Sequence, residues 1–398
     1  MNDKIRVLHV LGQLNIGGAE SRIMDLYRVI DKDKVQFDFA VHGNTKGYFE
    51  DEVVSMGGRI FRLPRFKAYN MFEYKQAWRK LLDSLKGEVS FVQGHMTSTA
   101  SIYLPIAHTM GMTTIAHARS AGVDAGMKGR LTRFLRRNLS KKADYLFTCS
   151  EIAGISVFGR TAVEEGRTIF VPNCIDVSKF KYNYETRIQT RKELNADENH
   201  IYGHVGRFHY AKNHEYLLKA FSEILQKDTK AMLILLGEGP RMQEMKELAR
   251  NLKIDKHVLF LGNKIDAYRY YQAMDCFVYP SRYEGLPGTV VEAQASGLPV
   301  LMSDEICDEV AVTDLIHTLS IKDDPKVWAD LAVKCCDAID SAGGNHSAEA
   351  EYDCDGVNRS VDRRSKYNTL ISEAGFEVHD QAEKFTEFYG TKNTGVFS

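Results

Sequence analysis

The chain has no apolar run approaching the roughly 18 residues a membrane-spanning helix needs. The apolar opening at 5–11 stops at Gln13 and Asn15, which suits a short strand and not a secretion signal. It also lacks paired-cysteine spacing. Its seven cysteines, Cys149, Cys174, Cys276, Cys307, Cys335, Cys336 and Cys354, form an odd set without a C-x-x-C, so neither a disulfide framework nor a zinc site is expected. An excess of either charge is missing too, with 52 Lys and Arg against 53 Asp and Glu. A net charge of −1 gives no reason to expect a nucleic-acid partner. No tandem short-period repeat is present. These absences point to a cytoplasmic globular protein.

With 398 residues the chain exceeds one typical core, so two domains are expected. Strand-like runs at 5–11, 35–42, 89–93, 113–117, 145–149 and 169–171 alternate with helical patterns at 19–30, 72–86 and 97–110. That alternation predicts a parallel sheet covered on both faces. The pattern breaks at 171–180 and restarts at 201–205, with further strands at 232–236, 258–261, 276–279 and 299–302. The reading is therefore α/β, two doubly wound Rossmann-like domains, 1–175 and 176–377. Ligands of such sheets bind at the carboxyl ends of the strands.

One segment is richest in chemistry: Asp275-Cys-Phe-Val-Tyr-Pro-Ser-Arg-Tyr-Glu-Gly-Leu-Pro-Gly-Thr-Val-Val-Glu-Ala-Gln-Ala-Ser-Gly297. It reads as a buried strand, a loop holding Glu284, and a helix opening at Pro287 or Gly288 with Glu292 about a turn inside. The opening turn of a helix offers unpaired N–H groups and the positive dipole end to a phosphate. Helical side chains lean toward the N-terminus, so Glu292 points back over that turn. An anion cradle flanked by two carboxylates suits a nucleotide diphosphate sugar. One carboxylate accepts from ribose hydroxyls, the other from the sugar.

The spacing Glu284…Glu292, inside Tyr-Glu-Gly-Leu-Pro and Ala-Ser-Gly-Leu-Pro-Val, resembles the E-x7-E signature of retaining glycosyltransferases. More narrowly it is similar to glycosyltransferase family 4, enzymes of bacterial exopolysaccharide and capsule synthesis. The resemblance spans nearly the whole chain. It implies the GT-B fold, two domains facing a cleft, with the terminal helix (378–398) packing back on the first domain. It implies transfer of a sugar, with retention, from a nucleotide-sugar donor, UDP-linked, to a glycan or lipid-linked acceptor in surface polysaccharide synthesis.

The resemblance also carries roles. Glu284, His95, Arg207 and Lys212 become the catalytic candidates. Arg207 closes one strand and Lys212 opens the next helix, so the two cations meet and neutralise the leaving diphosphate. The donor is further expected to touch Gly17, Gly18, Gly237, Asn263, Ile265, Gly285, Leu286, Gly288, Thr289 and Glu292. Gly17-Gly18 joins the first strand to the first helix, while Gly237 and Gly239 form a floor. His117 and Arg119, at the next strand end, face the acceptor. Cys174 departs from the usual Pro-Asn-Gly-Ile-Asp, so its turn must avoid positive φ or be strained. No cofactor and no metal are expected. Asp353 and Asp355 form an Asp-x-Asp pattern, but in a polar loop (341–365) that follows no strand.

The segment 128–142 reads as a basic amphipathic helix. Leu131, Phe134, Leu135 and Leu139 form one stripe. Arginines and lysines fill the rest, a candidate for peripheral membrane contact. Two other functions share this fold and donor: a sugar-nucleotide 2-epimerase, and a non-catalytic nucleotide-sugar-binding partner of another transferase.

Overall fold

The computed structural model describes residues 4–122, 126–341 and 359–397. The Asp353/Asp355 pattern and most of the loop around it lie outside the described residues. The chain divides into two compact units, Met1–Cys174 with Val378–Ser398, and Ile175–Glu377.

The first unit is built on seven strands: β1 (Ile5–Val10), β2 (Val35–His42), β3 (Ile60–Leu63), β4 (Val89–Gly94), β5 (Thr113–Ala118), β6 (Tyr145–Thr148) and β7 (Thr168–Phe170). Their order is β3-β2-β1-β4-β5-β6-β7, and each neighbouring pair is parallel. Helices cover both faces, so the inner strands are buried along their length; all eight residues of β2 are buried, Gln36, Asp38 and His42 among them. The helix Val378–Thr391 belongs to this unit and fills its core. Phe385, Phe388 and Tyr389 pack against Phe37, Phe91 and Phe147.

The second unit has six parallel strands: β8 (His200–Val205), β9 (Ala231–Leu236), β10 (Val258–Gly262), β11 (Cys276–Tyr279), β12 (Val300–Ser303) and β13 (Ile316–Leu319). Their order is β10-β9-β8-β11-β12-β13. The helix Tyr184–Glu193 is pinned to this sheet by ions. Arg187 and Arg191 reach the Asp275 carboxylate at 2.5 and 3.2 Å, and the Ile201 amide donates to it at 2.7 Å. Burial would raise that carboxyl. The two guanidiniums and the amide outweigh it and hold it near 2.

Chain order reverses between β1 and β4 in one sheet and between β8 and β11 in the other. Crevices for ligands open at such switch points. β3 and β13 were not anticipated. Both are four-residue edge strands, partly exposed and interrupted by Arg62 or His317, so no apolar run marks them. The basic segment also differs from expectation. Its helix runs only Gly126–Arg136, and Asn138 turns left-handed (φ 63°) before a short 3-10 turn at Leu139–Lys141. A left-handed residue ends a helix, and Asn tolerates that conformation better than most. The stripe splits accordingly. Leu135 and Leu139 are buried, while Leu131 and Phe134 are exposed.

Candidate active site

The switch point of the second unit gathers most of the expected donor residues. After β8, the backbone of Gly206 to Phe208 lies against the turn after β9. A Cβ on Gly237 would stand 2.2 Å from the Gly206 carbonyl oxygen, and one on Gly239 would stand 2.4 Å from that of Phe208. Gly237 also has φ +132°. These glycines are therefore needed for the fit of two loops, whatever else approaches them. Asn213, left-handed at φ 52°, caps the helix His214–Lys227. It leaves Lys212 on the preceding turn, with its side chain running over Gly206.

Lys212 Nζ stands 2.7 Å from Glu284 Oε1. It also donates to the hydroxyl of Tyr279, the last residue of β11. Burial alone would depress the ammonium pKa, but Glu284 and Tyr279 more than offset it and the net shift is upward. The two residues expected to serve phosphate and sugar separately are thus paired with each other. Arg207 does not join them. It is exposed, and its side chain makes no ion pair or hydrogen bond among the described residues.

The helix after the loop opens at Gly288, with Pro287 as the non-helical cap and not the first helical residue. The Val290 and Val291 amides turn back to the Pro287 carbonyl. Those of Gly288 and Thr289 find no protein acceptor among the described residues, the cradle expected of a helix start. Glu292 lies on this helix and is 6 % exposed; the Tyr271 hydroxyl donates to its Oε2 at 2.8 Å. Ser281 Oγ is buried without a hydrogen-bond partner among the described residues. Leu286 is buried, and the Cys307 thiol donates to the Gly285 carbonyl at 2.8 Å. Asn263 and Ile265 are exposed beyond β10.

The first unit's switch point holds a cluster of imidazoles. His9 on β1 and His95 after β4 meet at 3.0 Å, Nδ1 to Nε2. Arg119 Nε donates to His95 Nδ1 at 3.2 Å, and Arg119 Nη1 to Asn173 Oδ1 at 2.7 Å. The protons follow from these bonds. His95 Nδ1 accepts, so its proton is on Nε2 and goes to His9 Nδ1. The His9 proton is then on Nε2. Next door, Tyr389 donates to Gln93 Oε1 at 2.6 Å, and the Gln93 amide lies 2.9 Å from His117 Nδ1. His117 is likewise protonated on Nε2. Burial first, and then the Arg119 cation, depress all three imidazoles, His9 to about 3.

His95 is half-buried, but both its ring nitrogens are engaged within this unit. The His117 ring is fully buried. Gly17 precedes the helix Gly18–Val29, and its Cβ position is blocked by Glu20 Oε2 at 2.6 Å, whereas the space over Gly18 is open. Cys174 keeps a negative φ in a tight turn, its amide donating to Pro172 at 3.0 Å, so the missing glycine causes no strain.

Sequence reasoning missed Tyr279, Tyr271, His9 and Asn173. Tyr279 had a signal in its place at the end of β11. His9 is hidden inside an apolar strand, and nothing local marks Tyr271.

A family model described as glycosyl transferases group 1 matches residues 186–330. The chain is 36 % identical over 339 residues to EpsF of Bacillus subtilis (strain 168), a protein classed as a glycosyltransferase, covering 84 % of this chain and 88 % of that one. It is 30 % identical over 318 residues to the Escherichia coli UDP-Gal:alpha-D-GlcNAc-diphosphoundecaprenol alpha-1,3-galactosyltransferase, covering 76 % and 80 %. The fold is similar to that of Anabaena Alr3699/HepE in complex with UDP and glucose. The TM-score is 0.75 at 16 % identity, covering 97 % of this chain and 100 % of the other. Solved neighbours of this kind are GT-B glycosyltransferases, and the two parallel-sheet units here have that fold.

Proposed function

Because the chain belongs to the group 1 glycosyl transferases, we propose that it moves a sugar from a UDP-sugar to a lipid-linked or glycan acceptor in surface polysaccharide synthesis, with retention at the anomeric carbon. The observation that carries the reading is the Lys212–Glu284 pair at 2.7 Å, set beside the buried Glu292 and the open turn at Gly288. In the proposed reaction the diphosphate lies on the Gly288 and Thr289 amides, and Glu292 accepts from the ribose diol. Lys212 and Arg207 take the charge that grows on the leaving phosphate, with no divalent metal required. A phosphate arriving at Lys212 releases Glu284 to accept from the donor sugar. The bond from the anomeric carbon to phosphate breaks as the acceptor oxygen attacks the same face. The acceptor proton passes to the departing phosphate. On the first unit, Gly17 and Gly18 are left for a ligand's phosphate and Arg119 for the acceptor, with His95 and the buried His117 standing behind Arg119.

The acceptor class draws support from the Escherichia coli relative, whose name specifies a diphosphoundecaprenol-linked sugar. Membrane contact fits the surface of the first unit. No helix among the described residues is long and apolar enough to cross a bilayer. Yet Met127, Leu131 and Phe134 on the basic helix are exposed, as are Tyr69 and Phe72. A groove of about 520 Å³ between these segments is lined by Phe134 and Ile106 and rimmed by Lys75, Arg79, Arg137 and Lys142. Apolar side chains ringed by cations suit an anionic lipid surface.

A panel of sugar nucleotides screened by thermal shift identifies the donor, since a ligand that binds only the folded state raises the melting point. UDP release with and without lipid-linked acceptor then separates transfer from its alternatives. Release that depends on acceptor supports transfer. Isomerised sugar nucleotide without acceptor marks an epimerase, and binding without turnover marks a non-catalytic partner.

A further inference from the structure

Arg119 is a cation without a counterion. It follows β5 inside the first unit, and no carboxylate lies within ion-pair distance of it among the described residues. Its two bonded nitrogens go to neutral acceptors, His95 Nδ1 and Asn173 Oδ1. The residue is half-buried, so its charge is only partly solvated and an anion reaching it would be a favourable partner. The histidines around it cannot supply that charge, being neutral themselves. Nor can the unpartnered atoms of the cluster. His9 Nε2 and His117 Nε2 are buried without partners, and in the tautomers set by the network both carry protons. The cluster therefore has spare donors and lacks acceptors. It stands where β1 and β4 reverse the chain order, the place at which such sheets take ligands. Nε and Nη1 clamp the guanidinium plane, and Nη2 has no protein acceptor among the described residues.

We propose that Arg119 is the seat of an oxyanion of the acceptor, with Nη2 donating to a phosphate oxygen of the molecule to be glycosylated. Phosphate suits the site because guanidinium matches its geometry and the bond is charge-assisted. His95 and Asn173 are then positioning residues, holding the plane of Arg119. This inference rests on the transferase reading and adds to it the chemical class of the acceptor: a phosphate-bearing carrier and not a neutral glycan.

The test uses the full chain with its histidine rings isotopically labelled, saturated with UDP so that the diphosphate site of the second unit is filled. Inorganic pyrophosphate, a short-chain isoprenyl diphosphate and a neutral disaccharide are titrated in turn. The expected result is binding of both diphosphates, with ring signals of His9, His95 and His117 moving toward the protonated position as an anion offsets Arg119. Arg119→Gln should weaken binding tenfold or more and abolish the ring response, and Arg119→Lys should restore part of each. Tighter binding of the isoprenyl compound would identify a lipid carrier, and equal binding a free phosphate group. No ring response to either diphosphate in the wild type, or a response unchanged in Arg119→Gln, would overturn the proposal. Should Arg119→Gln not fold, the wild-type titration and Arg119→Lys decide the matter. UDP binding is measured in the same sample, so a failed donor site is told apart from a failed acceptor site.

Discussion

The Lys212 ammonium and the Glu284 carboxylate lie 2.7 Å apart with under one fifth of either side chain exposed. Each is the other's counterion while the donor is absent. The pair keeps a lysine charged in a mostly buried place; in the proposed reaction a phosphate competes for that cation and frees the carboxylate. Tyr279 adds a second partner to Lys212, so the ammonium is fixed in position before a substrate arrives.

Removing one member of the pair should therefore be felt twice. Lys212→Ala should lower kcat by about a hundredfold, the loss typical of a group that stabilises developing charge. It should also cost about 3–5 kcal/mol of stability, because Glu284 is left buried and unpaired. Exposed Arg207 has no such partner, so Arg207→Ala should lower kcat with little change in melting point. Calorimetric melting curves and steady-state rates on the two variants give the comparison. An equal loss of stability in both would mean that the ion pair does not matter to the fold.

Glu292 should govern nucleotide affinity. Its loss removes a charged acceptor from the ribose diol, worth about 1.5–3 kcal/mol. Titration calorimetry with UDP on Glu292→Ala should show that deficit. Glu284→Ala should spare UDP and slow turnover if, as proposed, it meets the sugar. Wild-type UDP affinity in Glu292→Ala would remove it from the donor site.

The imidazole cluster makes the first unit sensitive to mild acid. His9, His95 and His117 have folded pKa values below the ordinary 6.5, His9 near 3. The unfolded chain takes up protons from pH 6.5 downward while the folded chain does not. The stability tied to these residues is thus complete above pH 6.5 and is lost as pH falls toward 3. The slope can approach about 1.4 kcal/mol per pH unit for each residue. Calorimetric scans at pH 7.5 and 5.5 should show the melting point falling, with a smaller fall in His9→Asn. A flat profile over that range would mean that the imidazoles are not held neutral.

Vesicle binding checks the exposed apolar patch. Phe134→Ser with Phe72→Ser should cut co-sedimentation with phosphatidylglycerol vesicles several-fold without altering UDP affinity, because buried apolar area drives interfacial binding. Equal sedimentation with neutral and anionic vesicles would argue against the basic rim.

The parallel sheets were legible because buried strands are written as apolar runs separated by helical periods. The edge strands β3 and β13 escaped since half-exposed strands carry no such mark. The geometry of the segment expected to meet the donor was legible for a local reason: strand, loop and helix follow each other between Cys276 and Ala295, so spacing and geometry nearly coincide. Where the partners are distant in sequence, the reading weakened. Arg207 and Lys212 are five positions apart, yet Lys212 turns to Glu284, seventy-two positions on. The Asn138 kink was invisible because amphipathic periodicity runs straight through it.

The proposed reaction is transfer of a sugar with retention and without a metal. Its most direct measurement is an NMR assay of the new glycosidic linkage, formed from an anomerically labelled UDP-sugar and a lipid-linked acceptor in excess EDTA. The account predicts a product whose anomeric coupling matches that of the donor, formed at an undiminished rate. An inverted anomeric centre, or activity lost in EDTA and restored by magnesium or manganese, would contradict it.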